Sequence, residues 1–217
     1  MEDPYPPSDF DQWADTYDAS VASNSGFPFE GYAQVLDQVV QFAAPGPGMA
    51  VLDLGTGTGL LAERFSQLGC NLWCTDFSPL MLEKARARLP QANFALHDLR
   101  QPWTVDWRQR FDRIVSAYVF HHFEDGKKIE LIQWLIKDLL SPHGRLVIAD
   151  ISFPTPVAWQ AAAARVGSEW EEELYWAAEP IIARLQGLGL AVDYRQVSYC
   201  AGVYCIQPGS EFNEEIQ

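Results

Sequence analysis

Val51-Leu52-Asp53-Leu54-Gly55-Thr56-Gly57-Thr58-Gly59-Leu60-Leu61 decides how this chain folds. An apolar run ends in a carboxylate, passes through three alternating glycines and opens into a helical pattern. A strand–loop–helix turn of this kind lets the backbone reverse sharply and lets a ligand lie directly against it. The dinucleotide fingerprint would read G-x-G-x-x-G and places a phosphate at the helix N-terminus. Here the third glycine arrives one position early, and Leu60 stands where that fingerprint has glycine. Asp53, two residues ahead of Gly55, works against a phosphate and favours a ligand carrying a cationic ammonium or sulfonium.

Outward from this run, strand-like and helix-like patterns alternate between residues 49 and 151, which argues for a parallel sheet covered on both faces. Strands are expected at Ala50–Asp53, Leu72–Phe77, Phe94–Asp98, Arg113–Val119 and Arg145–Ile151. Between them, Leu61, Phe65 and Leu68 mark one helical face, and Gly69 is placed to cap its end. Ser78-Pro79 is an N-cap followed by proline at the first helical position. Asp125 is placed to cap a helix whose stripe of Ile129, Ile132, Leu135, Ile136, Leu139 and Leu140 keeps a helical period. Two helical segments precede the sheet, Asp9–Ala19 and Phe29–Phe42, joined at Asn24-Ser25-Gly26.

After Asp150 the alternation stops. Residues 153–178 read as a helical, Glu-rich stretch carrying Trp159, Trp170, Tyr175 and Trp176, with a short helix near Glu179–Leu188 behind it. Val192–Tyr199 and Val203–Gln207 read as a terminal antiparallel pair turning at Ala201-Gly202. One domain is expected over residues 1–208, with the helices of 9–43 as a cap and 153–178 as a lid over the strand ends. Residues 209–217 are expected to form a mobile tail.

The chain has 217 residues, 48% of them hydrophobic, and a net charge of −14, with no basic stripe. Long-range electrostatics therefore disfavour a nucleic-acid partner. No apolar run reaches the ~18 residues of a membrane span. The opening Met1-Glu2-Asp3-Pro4-Tyr5-Pro6-Pro7 is acidic and proline-rich, unlike a secretory leader, so a cytoplasmic chain without a membrane partner is expected, as a monomer or homodimer. The four cysteines, Cys70, Cys74, Cys200 and Cys205, lack the C-x-x-C spacing of zinc sites and read as reduced, mostly buried thiols.

Two further carboxylates fall at useful distances. Asp76 lies 21 positions after Gly55 at the end of the second strand pattern, where it can accept hydrogen bonds from both hydroxyls of a ribose. The alternative is an N-terminal cap for the next helix, a role that Ser78 can fill alone. Asp98 ends the third pattern, where its side chain and the Leu99 N–H can read the edge of an adenine, although aspartate often simply terminates a strand. A cationic, nucleotide-like ligand suggests S-adenosylmethionine.

On these residues the chain resembles the class I S-adenosylmethionine-dependent methyltransferases across about residues 9–207. Carrying the resemblance are Val51–Gly59, Asp76 with Ser78-Pro79 and Met81-Leu82, Asp98, Phe111-Asp112-Arg113-Ile114-Val115-Ser116 and Gly144-Arg145-Leu146-Val147-Ile148. Trp13-Ala14, Tyr17-Asp18 and Ile114-Val115-Ser116-Ala117-Tyr118-Val119-Phe120-His121-His122-Phe123 are similar, more narrowly, to small bacterial YrrT-type methyltransferases. The resemblance implies a Rossmann-like, doubly wound α/β fold: a seven-stranded, mostly parallel sheet with one antiparallel strand and helices on both faces. It implies that Asp53 and Gly55 face the methionine portion, that Gly57 and Gly59 shape the loop, and that Asp76 holds the ribose. Phe77 and Met81 would pack near the adenine, Asp98 and Leu99 contact it, Ser116 or Ala117 offer backbone atoms to the ammonium, and Tyr17 close over the methionine end.

His121-His122 follows the fourth strand pattern and stands at the mouth of such a site. A neutral imidazole there can take a proton from an O–H, N–H or S–H nucleophile; the plainer reading is a hydrogen-bonded loop residue or a cap. A metal held by His121, His122, Glu124 and Asp125 is not expected, because adjacent histidines at a strand-to-loop transition seldom converge. The activity so implied is in-line methyl transfer to a small-molecule acceptor. The alternatives are a non-catalytic domain that binds the same cofactor and a nicotinamide-dependent oxidoreductase, against which Asp53 and the early Gly59 argue.

Overall fold

The computed structural model describes residues 6–23 and 26–209. The expectations for Met1–Tyr5, for Asn24 and Ser25 and for the tail beyond Gly209 lie outside the described residues. In chain order the elements are α1 (Pro7–Trp13), α2 (Tyr17–Ser23), α3 (Tyr32–Ala43), β1 (Ala50–Leu54), α4 (Leu60–Gln67), β2 (Asn71–Asp76), α5 (Pro79–Arg88), β3 (Asn93–Leu96) and β4 (Phe111–Ala117). Then follow α6 (Asp125–Trp134), β5 (Leu140–Phe153), α7 (Pro156–Val166), β6 (Trp176–Ala177), α8 (Ala178–Gly187), β7 (Leu190–Gln196) and β8 (Ala201–Pro208).

The main sheet runs β3-β2-β1-β4-β5-β8-β7, and β6 adds a two-residue pairing to β5. Neighbours pair in parallel except at β8, which is antiparallel to both β5 and β7. This is the doubly wound sheet with one reversed strand that the resemblance implied. The apolar runs that read as near-continuous strands are buried on both faces: Leu52, Leu54, Val51, Ile114, Val115, Val147 and Ile148 are all fully covered. Val35, Leu36 and Val39 of α3 and Leu61 and Phe65 of α4 pack one face, and Ile129 and Ile132 of α6 with Ile181 and Leu185 of α8 pack the other.

Local signals behave as their chemistry requires. Ser78 caps α5 by accepting the Met81 N–H at 3.1 Å, with Pro79 at the first helical position. Gly69, φ +78°, follows the end of α4. All four cysteines are free thiols, with Cys74, Cys200 and Cys205 buried. Among the described residues no helix is long and apolar enough to cross a membrane.

Four expectations are corrected. The segment read as one helix over Asp9–Ala19 is two helices, broken by a turn in which the Thr16 N–H donates to Trp13 O. Each half docks on its own: Asp11 accepts from Ser78 Oγ at 2.5 Å, while Asp18 accepts from Thr58 Oγ1 at 2.6 Å and pairs with Arg88. The stretch 153–178 is helical in α7, where Thr155 accepts the Ala158 N–H, and in a single 3₁₀ turn over Gly167–Glu169; Gly167 at φ +67° ends α7, and residues 170–175 run on without regular structure into β6. The terminal turn lies at 197–200 rather than Ala201-Gly202, which belong to β8. Gly202 is small because a Cβ there would strike the Tyr194 ring, a packing reason that imitates a turn signal. Finally, Glu124 rather than Asp125 precedes α6, and Asp125 instead holds Lys128.

Candidate active site

The chain leaves β1 for β2 and β3 on one side and returns to β4 on the other, so loops diverge at the C-terminal edge between β1 and β4. Open α/β sheets bind ligands in such a crevice. Here it is a cavity of about 530 Å³. Gly55 and Gly57, at φ +68° and +54°, form one wall. A side chain on Gly55 would collide with Val119, whereas a Cβ on Gly57 would meet nothing within 4 Å. Gly59 does not line the cavity; it faces α5, its Cβ direction 3.5 Å from Ala85 Cβ, and so lets α4 and α5 pack closely.

Asp76 lines the cavity at the end of β2. Its Oδ2 accepts the Gly57 N–H at 2.7 Å and its Oδ1 the Ser78 N–H at 2.9 Å, so one carboxylate ties the glycine loop to the start of α5. Burial pushes its pKa up to about 6 against those hydrogen bonds. Asp53 is buried behind the wall, accepts from Thr56 Oγ1 at 2.7 Å and is pushed up to about 7 by burial, with the Asp76 charge adding to the rise. Ser116 is also behind the wall, donating to Leu54 O at 2.8 Å, and Ala117 takes its place in the lining.

Phe77, Met81, Leu99 and Tyr17 line the cavity. Asp98 does too, from a loop beyond the shortened β3, with its carboxylate gripped by Arg100, whose Nε lies 2.9 Å from Oδ1. The Arg100 guanidinium in turn sits 5.5 Å from the centre of the Phe77 ring. From α1, Phe10 meets Phe77 edge-on at 4.8 Å and His122 at 5.8 Å.

The two histidines sit on a short 3₁₀ turn, Phe120–His122, with ring centres 4.1 Å apart. Their surroundings separate them. Asp150, fully buried on β5, accepts the His121 backbone N–H with Oδ2 at 2.8 Å and holds the ring Nδ1 with Oδ1 at 2.6 Å. The Ile151 N–H and the Trp176 Nε1–H complete the carboxylate's shell at 2.8 and 3.1 Å. His121 Nε2 points towards Glu173 Oε2, 3.6 Å away. Burial alone would lower the His121 pKa, but the charge and hydrogen bond of Asp150, with Glu173 beyond, raise it above the ordinary value. His122 goes the other way: burial, reinforced by the neighbouring His121, takes it down to about 3.

Ligand atoms of His121, His122 and Glu173 lie within 4.8 Å of one another, close enough to share a cation. Adjacent histidines do converge here, because the 3₁₀ turn folds them together, and their companion is Glu173 rather than Glu124 or Asp125. Glu173 reaches this position through Lys128, a lysine with no exposed surface. Its Nζ donates to Leu174 O at 2.5 Å and Asp125 Oδ1 at 3.0 Å and lies 5.2 Å from the Trp176 ring centre. The aromatics of 153–178 divide accordingly: Tyr175 lines the cavity, Trp176 is core, and Trp170 stacks on Phe27 at 5.0 Å.

Residues 51–144 match the family model described as a methyltransferase domain. A protein named "Uncharacterized methyltransferase" from Geobacillus thermodenitrificans is 30% identical over 203 residues, covering 86% of this chain and 89% of the relative. Another of that name from Anoxybacillus flavithermus is 33% identical over 155 residues, 70% of each chain. The chain belongs to the methyltransferases. Among solved structures, the DhpI-SAM-HEP complex has a TM-score of 0.72 at 20% identity, covering 93% of this methyltransferase and 95% of that chain. Magnesium protoporphyrin IX methyltransferase from Synechocystis PCC 6803, with bound SAH, gives 0.68 at 19%, covering 92% and 94%. These likenesses share the fold of the methyltransferase described here.

Sequence reasoning missed Asp150, Glu173, Arg100 and Tyr118. Only Asp150 carried a local signal, a carboxylate closing the apolar run Leu146-Val147-Ile148-Ala149 at the same edge as Asp53, Asp76 and Asp98.

Proposed function

We propose that this methyltransferase moves the methyl group of S-adenosylmethionine to a small-molecule acceptor inside the cavity, with His121 as the general base. One observation carries the reading: a single cavity joins the glycine loop and Asp76 to a buried histidine–carboxylate pair. The residues fit the donor. Gly57 leaves open space where any other residue would carry a Cβ, Asp76 offers a charged acceptor for ribose hydroxyls, and Phe77, Met81 and Leu99 supply apolar surface for a base. Asp53 and Ser116 support this wall from behind, and Asp98 reads the base edge with Arg100 fixing its orientation.

When bound, the donor supplies an electrophilic sulfonium methyl group. The protein's part is to align the acceptor in a pocket from which water is excluded and to remove its proton. Asp150 holds His121 Nδ1 so that Nε2 faces the cavity, and the charge and hydrogen bond of Asp150 strengthen that nitrogen as a base. His122, with its pKa near 3, stays uncharged and shapes the wall beside Phe10. Residues 167–175 cover the opening as a lid, and α1 and α2 act as the cap.

Isothermal titration with S-adenosylmethionine and S-adenosylhomocysteine should give dissociation constants on the order of micromolar. In turnover, read as S-adenosylhomocysteine release, His121→Ala should lose on the order of 10²-fold while binding the donor normally, and His122→Ala should keep most of its rate. Equal losses in both variants would remove His121 from the base role.

A further inference from the structure

We infer that the acceptor is a protonated amine, N-methylated in the part of the cavity framed by His121, Glu173 and Tyr118. This deepens the function proposed above and rests on it. Three observations converge.

The first is charge. The cap and lid bring Asp9, Glu169, Glu171 and Glu173 to the cavity lining. Arg100 is the sole arginine or lysine among the described lining residues, and it is held by Asp98. His121 is likewise held by Asp150. A carboxylate, phosphate or phosphonate acceptor would enter against like charge with no uncommitted cation to receive it, whereas an ammonium would be drawn in. Glu173 is its natural partner: four-fifths buried, 3.6 Å from His121 Nε2, and fixed in place by the grip of Lys128 on the next residue's carbonyl.

The second is Tyr118. It is 8% exposed, lines the same cavity and carries a buried hydroxyl with no hydrogen-bond partner among the described residues. Its backbone is left-handed at φ +58°, rare for a bulky residue and found chiefly where a site requires it. The ring is stacked on Tyr32 at 5.3 Å and set edge-on to Phe29 at 5.4 Å, so the phenol cannot easily turn away to find water. A buried hydroxyl kept without a partner is matched by an N–H donor on the ligand. The faces of Tyr175, Tyr17 and Phe27 in the same lining also suit a cation.

The third is the His121–Asp150 pair, which implies a nucleophile that arrives with a proton to lose. An alcohol or phenol has the proton without the positive charge. A quaternary ammonium has the charge without the proton or a free electron pair. A primary, secondary or tertiary ammonium has both. Its nitrogen gives one proton to His121 Nε2, and the electron pair so freed forms the new N–C bond. The C–S bond to the methyl breaks with its pair passing to sulfur. The product leaves as the more substituted ammonium, and His121 returns its proton to solvent.

The test uses the full-length protein, S-adenosylmethionine and a bacterial metabolite extract split by ion exchange at neutral pH into cationic, neutral and anionic fractions. S-adenosylhomocysteine release should follow the cationic fraction, with a product heavier by one methylene and the new methyl on nitrogen. With that fraction's acceptor, Glu173→Gln should raise KM about tenfold, as expected for losing one charge partner. Tyr118→Phe should raise it less, and both variants should bind S-adenosylhomocysteine like the parent. Release from the neutral or anionic fraction alone, unchanged by Glu173→Gln, overturns the amine and leaves methyl transfer standing. Failure to bind S-adenosylhomocysteine overturns the reading beneath it, and binding without release from any fraction counts against a small-molecule acceptor of either kind.

Discussion

Asp150→Asn probes the centre of the site with a change of one atom. Four donors converge on this carboxylate: the Ile151 N–H and His121 Nδ1 on one oxygen, and the His121 N–H and Trp176 Nε1–H on the other. An amide offers one acceptor oxygen, so whichever way it turns, two donors face an NH₂ group. A buried donor left unsatisfied costs about 1–3 kcal/mol, so the variant should lose about 2–6 kcal/mol, or about 1–3 kcal/mol where the His121 ring moves its proton to Nε2 and Nδ1 accepts from the NH₂ group. Total stability for a domain is about 5–15 kcal/mol, so the protein should fold with a lowered unfolding midpoint. In the orientation that saves the His121 and Trp176 donors, the NH₂ group faces Nδ1. The ring must then carry its proton on Nε2, where it no longer serves as a base. Turnover should therefore fall on the order of 10²-fold or more.

The deficit should also depend on pH. Asp150 is depressed below its usual range by His121 and the Ile151 N–H, which outweigh burial, so its stabilisation is present above about 3.9 and lost as pH falls through the lower folded value. His121 is raised, so its share is complete below about 6.5 and lost as pH rises through the higher folded value. The parent's advantage over the variant should peak between about pH 4 and 6.5 and shrink on either side. Urea unfolding followed by circular dichroism at pH 3.5, 5.5 and 9 measures this directly. A variant within about 1 kcal/mol of the parent at pH 5.5, or one that keeps parental turnover, would refute the reasoning.

Donor binding should weaken below about pH 6, where Asp76 takes up a proton and ceases to be a charged acceptor; titrations giving a flat profile from pH 8 to 5 would remove it from the ribose role. Gly57→Val should abolish donor binding while leaving the circular dichroism spectrum intact, because its side chain projects into the open cavity from a φ that costs a branched residue about 1–2 kcal/mol. Lys128→Met should strand the Leu174 and Tyr175 carbonyls, lowering stability by about 1–3 kcal/mol and speeding amide exchange across 171–177; unchanged exchange there would show that the lysine does not anchor the lid. EDTA should leave turnover unchanged. Loss on chelation, restored by a divalent metal, would make His121, His122 and Glu173 a metal centre and displace the base.

Much of this fold was legible because its strands are buried on both faces and write themselves as apolar runs, and because Ser78-Pro79 and the glycine loop act locally. The failures came where a remote partner decides the outcome. The Glu-rich part of 153–178 resembles a helix by composition, yet Gly167 ends α7 and the chain pairs with β5 through Ser152 and Trp176. Gly202 resembles a turn residue, yet it is small to admit a tyrosine ring from the adjacent strand. In both places the residue type reports a contact whose other half lies elsewhere in the chain.

The candidate site divides along the same line. Gly55, Gly57 and Asp76 were legible because a loop and the strand end beside it form one local device whose spacing brings them to one wall, whereas Phe77 and Met81 came only with the family resemblance. The chemistry of the pair His121-His122 was not legible, since in sequence the two residues are equivalent. Asp150, 29 positions away, and Glu173, carried in on a segment anchored by a buried lysine, raise one imidazole. Burial beside that same imidazole takes the other down to about 3. Which histidine can act as a base is therefore a property of the packing of β5, α6 and residues 173–176 around them. The sharpest experimental contrast is accordingly between two adjacent alanine substitutions, where only the one at His121 should convert a pH-dependent rate into a small and nearly pH-independent one.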